Sequence, residues 1–328
     1  MNIERVTVEV LETPVESQYT AAGNQVSTNY HVLARIFTGG GVQGIGFDVV
    51  LRPTLVKSLA QTTQELGQLL IGMSVLEIEA ARAKLERASG WAGPGGLVNM
   101  AMAPLDIAMW DAKGKILGQP LYRLLGGYRD RVRAYASDSL WYSLPLDALA
   151  RSAQDHVAQG YDMLKLRLGH EAKPEGEVQR VRGVQEAVGS QVQVMVDATE
   201  SWNQGQAVAF GRALQEAGIV WLEDPMSHQN LSGLAHLSDV LDVPIAAGEH
   251  LFGLDPFQKT FDARAVDIAI IDHLLAAAPN GHLVEYMPRS VPIFDTALRL
   301  EDGHLLAPQA PGLGVELNEA ACEKYRVQ

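Results

Sequence analysis

Cys322 is the lone cysteine among 328 residues, so no intramolecular disulfide can form and the expected compartment is the reducing cytoplasm. Basic residues are the minority charge: 26 Lys and Arg face 39 Asp and Glu, a formal charge of −13. That balance argues against a nucleic-acid partner, because phosphate binding needs a basic face. It does not exclude a small anionic substrate, since a local cation outweighs a diffuse acidic surface. Long apolar runs are also missing. The most apolar tract, 265–278, is broken by Asp267, Asp272 and His273, and no membrane span is expected. The first residues lack a basic stretch leading into an apolar run, so no secretory signal is expected either.

What is present reads as two kinds of structure. The composition, 47% hydrophobic and 20% charged, is that of an ordinary globular chain, and the length suits a barrel plus a second lobe. Segments 3–11 and 30–37 have strand character, and Gly39–Gly41 turns into a third strand. Helical patterns follow at 53–70, 75–88 and 98–117, the last closed by Gly118 and Pro120. This is an α+β lobe, expected over 1–128. From about Arg131 short apolar strands (132–136, 163–168, 192–196, 220–222, 244–247, 268–271, 283–284) alternate with amphipathic helices near 146–159, 176–188, 206–217 and 231–241. Such alternation means βαβ units and a parallel sheet, here a βα barrel over 129–297. A hairpin-like piece at 298–305 opens a C-terminal segment, 298–328, expected to return to the first lobe.

Three acids stand at three successive strand ends: Asp197, Glu223 and Glu249, each 26 positions after the one before. One such acid alone is more often a loop residue capping the next helix. Three on one rim repel by roughly 1–4 kcal/mol per pair and call for a cation or raised pKa values. An all-oxygen set without nearby cysteine suits Mg²⁺, or Mn²⁺, better than Zn²⁺. Lys165 and Arg167 end the preceding strand, and alternation turns both side chains into the barrel mouth, where two cations suit binding and activating an anion. Asp272 and Glu285 close later strands. Thr199 and Trp202, just past Asp197, are candidate pocket-lining groups, whereas His250, His273 and His282 fall outside the strand-end spacing and read as residues that support the site from behind or simply pack. Loop 91–96 (WAGPGG) is a candidate lid or an ordinary connection.

These residues, together with APLDIAMWDAK at 103–113, PLYRLLGG at 120–127, YDMLKLRLG at 161–169 and PGLG at 311–314, resemble the mandelate racemase and muconate-lactonizing group of the enolase superfamily over nearly the whole chain. The resemblance implies a modified TIM-type (β/α)7β barrel with an α+β capping domain. It also implies Mg²⁺ held by Asp197, Glu223 and Glu249. Lys165 corresponds to the lysine that contacts the substrate carboxylate, Asp272 to an aspartate that orients a catalytic histidine, and Glu285 to an acid that hydrogen-bonds the developing enediolate. A small carboxylate substrate and further copies of the chain are the implied partners.

Two departures stand out. The second lysine of the family's Lys-x-Lys pair, usually a base, is Arg167 here, and a guanidinium stays protonated. Asp272 and Glu285 are only 13 positions apart, where the family has a helix, a strand carrying the catalytic histidine and a further helix. Seven barrel strands are therefore expected, one fewer than the family has, with no histidine at the base position.

The leading expectation is dehydration of an acid sugar (an aldonate or aldarate) through α-proton abstraction. Arg167 favours this over racemisation, which needs competent bases on both faces. A racemase or epimerase of a 2-hydroxy or amino acid is the alternative, and a catalytically impaired metal-binding relative is a third. Lys165→Met is expected to abolish turnover with little loss of stability, as for an ammonium at a wet strand end. For the missing strand, two expectations compete: further residues between Asp272 and His273 in the molecule, favoured because rim segments are common sites of mobility, or a true deletion with an open barrel and little activity. Intact mass spectrometry separates them. A mass several kDa above 35.5 kDa is expected, and 35.5 kDa together with high specific activity would defeat both.

Overall fold

A three-stranded antiparallel meander begins the chain: β1 (Ile3–Ala21), β2 (Asn24–Thr38) and β3 (Gln43–Val50), paired β1–β2–β3. The computed structural model describes residues 1–21, 24–93, 95–270, 275–296 and 298–327. Period-two alternation gives this sheet two apolar faces. Val32, Ala34 and Ile36 face α1 (Val56–Gln68), α2 (Ile78–Ala88) and α3 (Gly96–Leu117), while Leu33, Leu11 and Ile45 point the other way. A short helix, α4 (Leu121–Leu124), leads out of the lobe.

Helix α3 lies directly on the backbone of β3. A Cβ on Gly44 would sit 2.0 Å from the Ala108 carbonyl oxygen, and one on Gly46 would sit 2.2 Å from that of Pro104, so only glycine permits this approach. The contact is locked by Asp111, which is fully buried on α3. Its carboxylate accepts hydrogen bonds from the Ile45 amide (2.9 Å), the Leu313 amide (2.8 Å) and Lys115 Nζ (2.7 Å). One side chain thus fastens helix, sheet and the PGLG turn near the C-terminus.

The second unit is a parallel sheet whose strands are β4 (Arg131–Ala136), β5 (Met163–Arg167), β6 (Gln193–Asp197), β7 (Leu222–Glu223), β8 (Ile245–Ala247), β9 (Ile268–Ala269) and β10 (Leu283–Tyr286). They pair in chain order from β4 to β9, and β10 returns to pair with β4. Helices α5 (Leu146–Ala158), α6 (Pro174–Val188), α7 (Gln204–Glu216), α8 (Leu231–Val240) and α9 (Leu254–Asp262) follow successive strands. Among the described residues the parallel sheet has seven strands, and β9 and β10 share no pairing. None of the described helices is long and apolar enough to cross a membrane.

Strand alternation sorts the barrel residues into two sets. Tyr135, Met163, Met195, Trp221 and Ala246 form one cluster inside the ring of strands. Leu164, Leu166, Val194, Val196, Leu222 and Ile245 face the helices. The inward phase is the one that reaches Ser137, Lys165, Arg167, Asp197, Glu223 and Glu285 two or four residues on.

Two elements depart from the sequence reading. Helix α9 lies outside the expected helices: Gly253 precedes it, Pro256 lies in its first turn and it is only nine residues long, although Leu254, Phe257 and Phe261 recur at helical spacing. The C-terminal segment returns in two steps. Its hairpin, β11 (Leu300–Glu301) and β12 (His304–Leu306), joins the barrel sheet by pairing with β4, because Leu305 and Leu300 pack against the barrel cluster. Contact with the first lobe is made earlier by Ile293 and later by Leu317, Cys322 and α10 (Glu319–Tyr325).

Asp111→Ala removes the acceptor of the buried Ile45 amide and the half-buried Leu313 amide and leaves Lys115 only the Gln43 carbonyl, and it is expected to destabilise the protein by about 3–5 kcal/mol. Thermal melting should shift down, and limited proteolysis should open first at 311–314. Unchanged melting would show that the carboxylate is not the fastener.

Candidate active site and metal centre

At the carboxyl ends of the parallel strands two cations lie among carboxylates. Lys165 is fully buried, and its Nζ is 2.7 Å from Glu223 Oε1, 3.3 Å from Glu285 Oε1 and 3.6 Å from Asp197 Oδ2. Arg167 donates to the Ser137 carbonyl (3.0 Å) and to Glu285 Oε1 (3.1 Å), and its Nε is 3.5 Å from Asp197 Oδ2. The guanidinium also lies 4.5 Å from the centre of the Trp141 ring, a cation–π contact. From below, Trp221 Nε1 donates to Glu223 Oε2 (3.2 Å), and the Ser137 hydroxyl donates to Glu285.

Register explains the convergence. Arg167 pairs with Asp197, and Asp197 pairs with Glu223, so the polar ends of β5, β6 and β7 stand side by side. The next step differs. Glu223 pairs with Ala246, not with Glu249, so the equal 26-residue spacing in sequence does not continue in space. Gly248 follows Ala246 in the inward phase, with φ at 153°, and Glu249 lies one residue beyond it. Glu249 accordingly stands on the same rim but apart from Lys165, with 40% of its side chain exposed and His250 Nε2 3.3 Å from its Oε1.

Asp224, one residue past Glu223, shares that phase. It is 1% exposed, and neither carboxylate oxygen has a hydrogen-bond partner among the described residues. Among the described residues, Asp224, Glu249 and His250 form a set whose donor atoms all lie within 4.8 Å of one another.

The electrostatics follow from crowding. Burial would lower the Lys165 pKa, but Glu223, Glu285 and the other acidic neighbours raise it well above the usual value, so the ammonium persists. Burial likewise acts against the Arg167 charge, and Glu285 and Asp197 outweigh it. Burial pushes the Glu223 carboxyl up to about 7, with Asp197 adding to the rise against Lys165. Asp224 is pushed up to about 9 by burial, then by Glu249 and Asp197. Partial desolvation at the rim, then Asp197, raise Glu249. Glu285 goes the other way: burial would raise it, but Lys165, Arg167 and the Ser137 hydroxyl hold it near 2. An ionised Glu285 accepts hydrogen bonds and has no proton to donate.

Five carboxylates (Asp197, Glu223, Asp224, Glu249 and Glu285) thus share a rim with two permanent cations. The raised Glu223 and Glu249 carboxyls beside Asp197 show a deficit of positive charge, and the all-oxygen donors fit Mg²⁺.

Of the residues singled out from sequence, Lys165, Arg167, Asp197, Glu223 and Glu285 come together in one network. Thr199 is at the same rim, its amide donating to Asp197 Oδ1 (2.8 Å). Trp202 instead packs in the layer between strands and helices, 5% exposed and tilted against Phe210 at 4.8 Å. Asp272 and His273 lie outside the described residues. Lys165 is also no wet strand-end cation: its complete burial overturns the expectation that Lys165→Met is harmless to stability. Sequence reasoning missed Ser137, Trp221 and Asp224. The first two lie on the inward alternation of their strands, and Asp224 directly follows Glu223.

Comparison with known proteins agrees with this architecture. Residues 3–126 match the mandelate racemase / muconate lactonizing enzyme N-terminal domain, and residues 148–274 match the enolase C-terminal domain-like family. The chain is 29% identical to the L-talarate/galactarate dehydratase of Salmonella typhimurium LT2, covering 95% of this chain and 87% of the relative. That alignment spans 347 positions, more than the 328 residues of the chain, so the relative has residues within it for which this chain has none. The L-Ala-D/L-Glu epimerase of Clostridium acetobutylicum is 26% identical over 82% of this chain and 74% of its own length. The crystal structure of the Salmonella dehydratase liganded with Mg and L-lyxarohydroxamate superposes with a TM-score of 0.94 at 26% identity, covering 99% of this chain and 93% of that one. Two domain matches in the expected order, an α+β lobe over a parallel sheet, and acids at the strand ends lead to one conclusion: the chain belongs to the mandelate racemase/muconate-lactonizing enzyme group of the enolase superfamily.

Proposed function

We propose that this chain is a magnesium-dependent acid-sugar dehydratase, which removes the proton α to a substrate carboxylate and expels the β-hydroxyl. The observation that carries the reading is the closed network of Lys165, Arg167, Asp197, Glu223 and Glu285 at the carboxyl ends of β4–β7 and β10, where barrel enzymes do their chemistry. Asp197, Glu223 and Glu249 would hold Mg²⁺, which supplies positive charge for the substrate carboxylate and for the charge left by the departing proton.

The chain's own residues have distinct tasks. Lys165, held protonated, donates to the substrate carboxylate by exchanging one of its present carboxylate partners. Arg167 keeps its proton, fixes Glu285 and Asp197, and adds a second positive charge beside the reacting carbon. Glu285 accepts a hydrogen bond from a substrate hydroxyl. Thr199, through its amide, sets the orientation of Asp197 and lines the rim. Asp272 is read as the partner of the proton-transfer machinery by resemblance alone. The capping lobe (1–128) covers the barrel (129–297) in this reading, and the C-terminal segment (298–328) returns to the lobe after its hairpin has joined β4. The absence of a usable disulfide partner for Cys322 supports a cytoplasmic location, and exposed Trp91 and Leu254 supply apolar surface for a homo-oligomer.

Arg167 supports dehydration over epimerisation, because it removes the second base that inversion at the α-carbon requires. A second reading, a metal-binding relative with little turnover, is favoured by one observation: among the described residues no strand lies between β9 and β10.

Screening acid sugars in D₂O separates the readings. A dehydratase yields a 2-keto-3-deoxy acid, seen as its semicarbazone. Exchange of the α-hydrogen without keto product would identify an epimerase, and neither signal across the panel would identify the impaired relative.

Variants test the site itself. Asp197→Asn and Glu223→Gln should each weaken Mg²⁺ binding severely by calorimetry. Lys165→Met should lower turnover about 100- to 1,000-fold. It should also destabilise the metal-free protein by about 3–5 kcal/mol, since it leaves Glu223 and Asp197 uncompensated. Added Mg²⁺ should restore part of that stability. Near-normal turnover of Lys165→Met, or unchanged Mg²⁺ affinity in both acid variants, would end this assignment.

A further inference from the structure

We propose that Asp224, Glu249 and His250 form a second divalent-cation site on the barrel rim, suited to Mn²⁺, Co²⁺ or Zn²⁺ and sharing Glu249 with the all-oxygen site ascribed above to Asp197, Glu223 and Glu249. The donor atoms of the three lie within 4.8 Å of one another, a spacing one ion can bridge. Asp224 supplies the independent observation. It is 1% exposed, and both of its carboxylate oxygens lack a hydrogen-bond partner among the described residues. Buried carboxylates without partners are rare because desolvation is not repaid, and a coordinated cation repays it.

The separation from the first site comes from strand phase. Glu223 follows Trp221 on the inward alternation of β7 and is taken by Lys165 and the Trp221 indole. Asp224 lies one residue later, outside that alternation, and makes no hydrogen bond to that network among the described residues. Glu249 lies one residue past Gly248 on the neighbouring strand end, so Asp224 and Glu249 meet in the same phase with His250 beside them. Glu249 is the one residue that both sites claim.

The surroundings suit an imidazole ligand. Glu249 and His250 have 40% and 42% of their side chains exposed, which leaves an open face for entry and for water ligands. The His250 ring packs on His228 with centroids 5.1 Å apart and planes 30° apart. His228 is fixed in turn by Glu200, whose Oε1 lies 2.7 Å from His228 Nδ1 and also accepts from the His228 amide (2.5 Å). Outer support of this kind restricts a ligand's orientation. Two carboxylates and one imidazole favour borderline transition ions over Mg²⁺, which prefers oxygen alone and retains its water.

The test uses the whole purified chain, stripped with chelator and titrated with Mn²⁺ in excess Mg²⁺, with free Mn²⁺ read by electron paramagnetic resonance. One Mn²⁺ per chain should remain bound against Mg²⁺. Asp224→Asn and His250→Gln should each weaken it at least tenfold, while Asp197→Asn should leave it bound even as it loses Mg²⁺. His250 is half-exposed, so its variant keeps the fold available if Asp224→Asn does not. With Co²⁺, the visible d–d bands should change between the parent and His250→Gln, reporting loss of a nitrogen ligand. Complete displacement of Mn²⁺ by Mg²⁺, or full retention in His250→Gln, would overturn the site. Loss of the Mn²⁺ together with Mg²⁺ in Asp197→Asn would show a single composite site and overturn it equally.

Discussion

The ion pair between Lys165 Nζ and Glu223 Oε1, 2.7 Å long and closed to solvent, governs the arrangement of the rim. An ammonium in that position would be costly to bury by several kcal/mol without carboxylates around it. The carboxylates, in turn, would repel one another without the ammonium. Lys165 therefore commits Glu223, Asp197 and Glu285 to one face, and Arg167 extends the same balance to β10. The balance is incomplete, since Glu223 and Asp224 keep raised pKa values even so. A rim built this way holds anionic substrate groups only when further positive charge joins it, which links metal binding to substrate binding through simple electrostatics.

Much of this is legible in the sequence alone. The strand–helix rhythm from Arg131, the acids at strand ends and the Lys165–Arg167 pair follow from alternation, which survives tertiary packing because a strand has only two faces. What alternation could not supply was register. Asp197, Glu223 and Glu249 are evenly spaced along the chain, yet β7 and β8 pair Glu223 with Ala246, and Glu249 is displaced toward Asp224. Pairing depends on the length and path of each βα connection, and those depend on packing between distant residues. The burial of Lys165 was hidden for the same reason: a strand-end lysine looks identical in sequence whether water or three carboxylates surround it. Trp202 shows the converse, an aromatic placed near a site by sequence and drawn into the helix layer by Phe210.

The first lobe imposes a different kind of constraint. Gly44 and Gly46 remove the side chains that would hold α3 away from β3, and Asp111 then uses the closeness to reach the Ile45 amide on one side and the Leu313 amide on the other. Packing and hydrogen bonding reinforce each other here. The residues that connect the lobe to the distant PGLG turn are those that the close approach makes accessible, which is why APLDIAMWDAK and PGLG read as a pair though 202 positions separate Asp111 from Leu313.

The closing residues also matter to the order in which the chain acquires structure. Val327 donates its amide to the Val10 carbonyl, Arg326 pairs with Glu9, and Arg35 reaches across the sheet to Glu319. The opening strands therefore obtain their final partners only after the whole barrel has been made. During synthesis one face of β1–β3 waits uncovered while the βα units assemble from neighbouring segments. The contacts in the middle are thus local and those between the margins long-range, and closing loops of that length costs entropy before any contact offsets it.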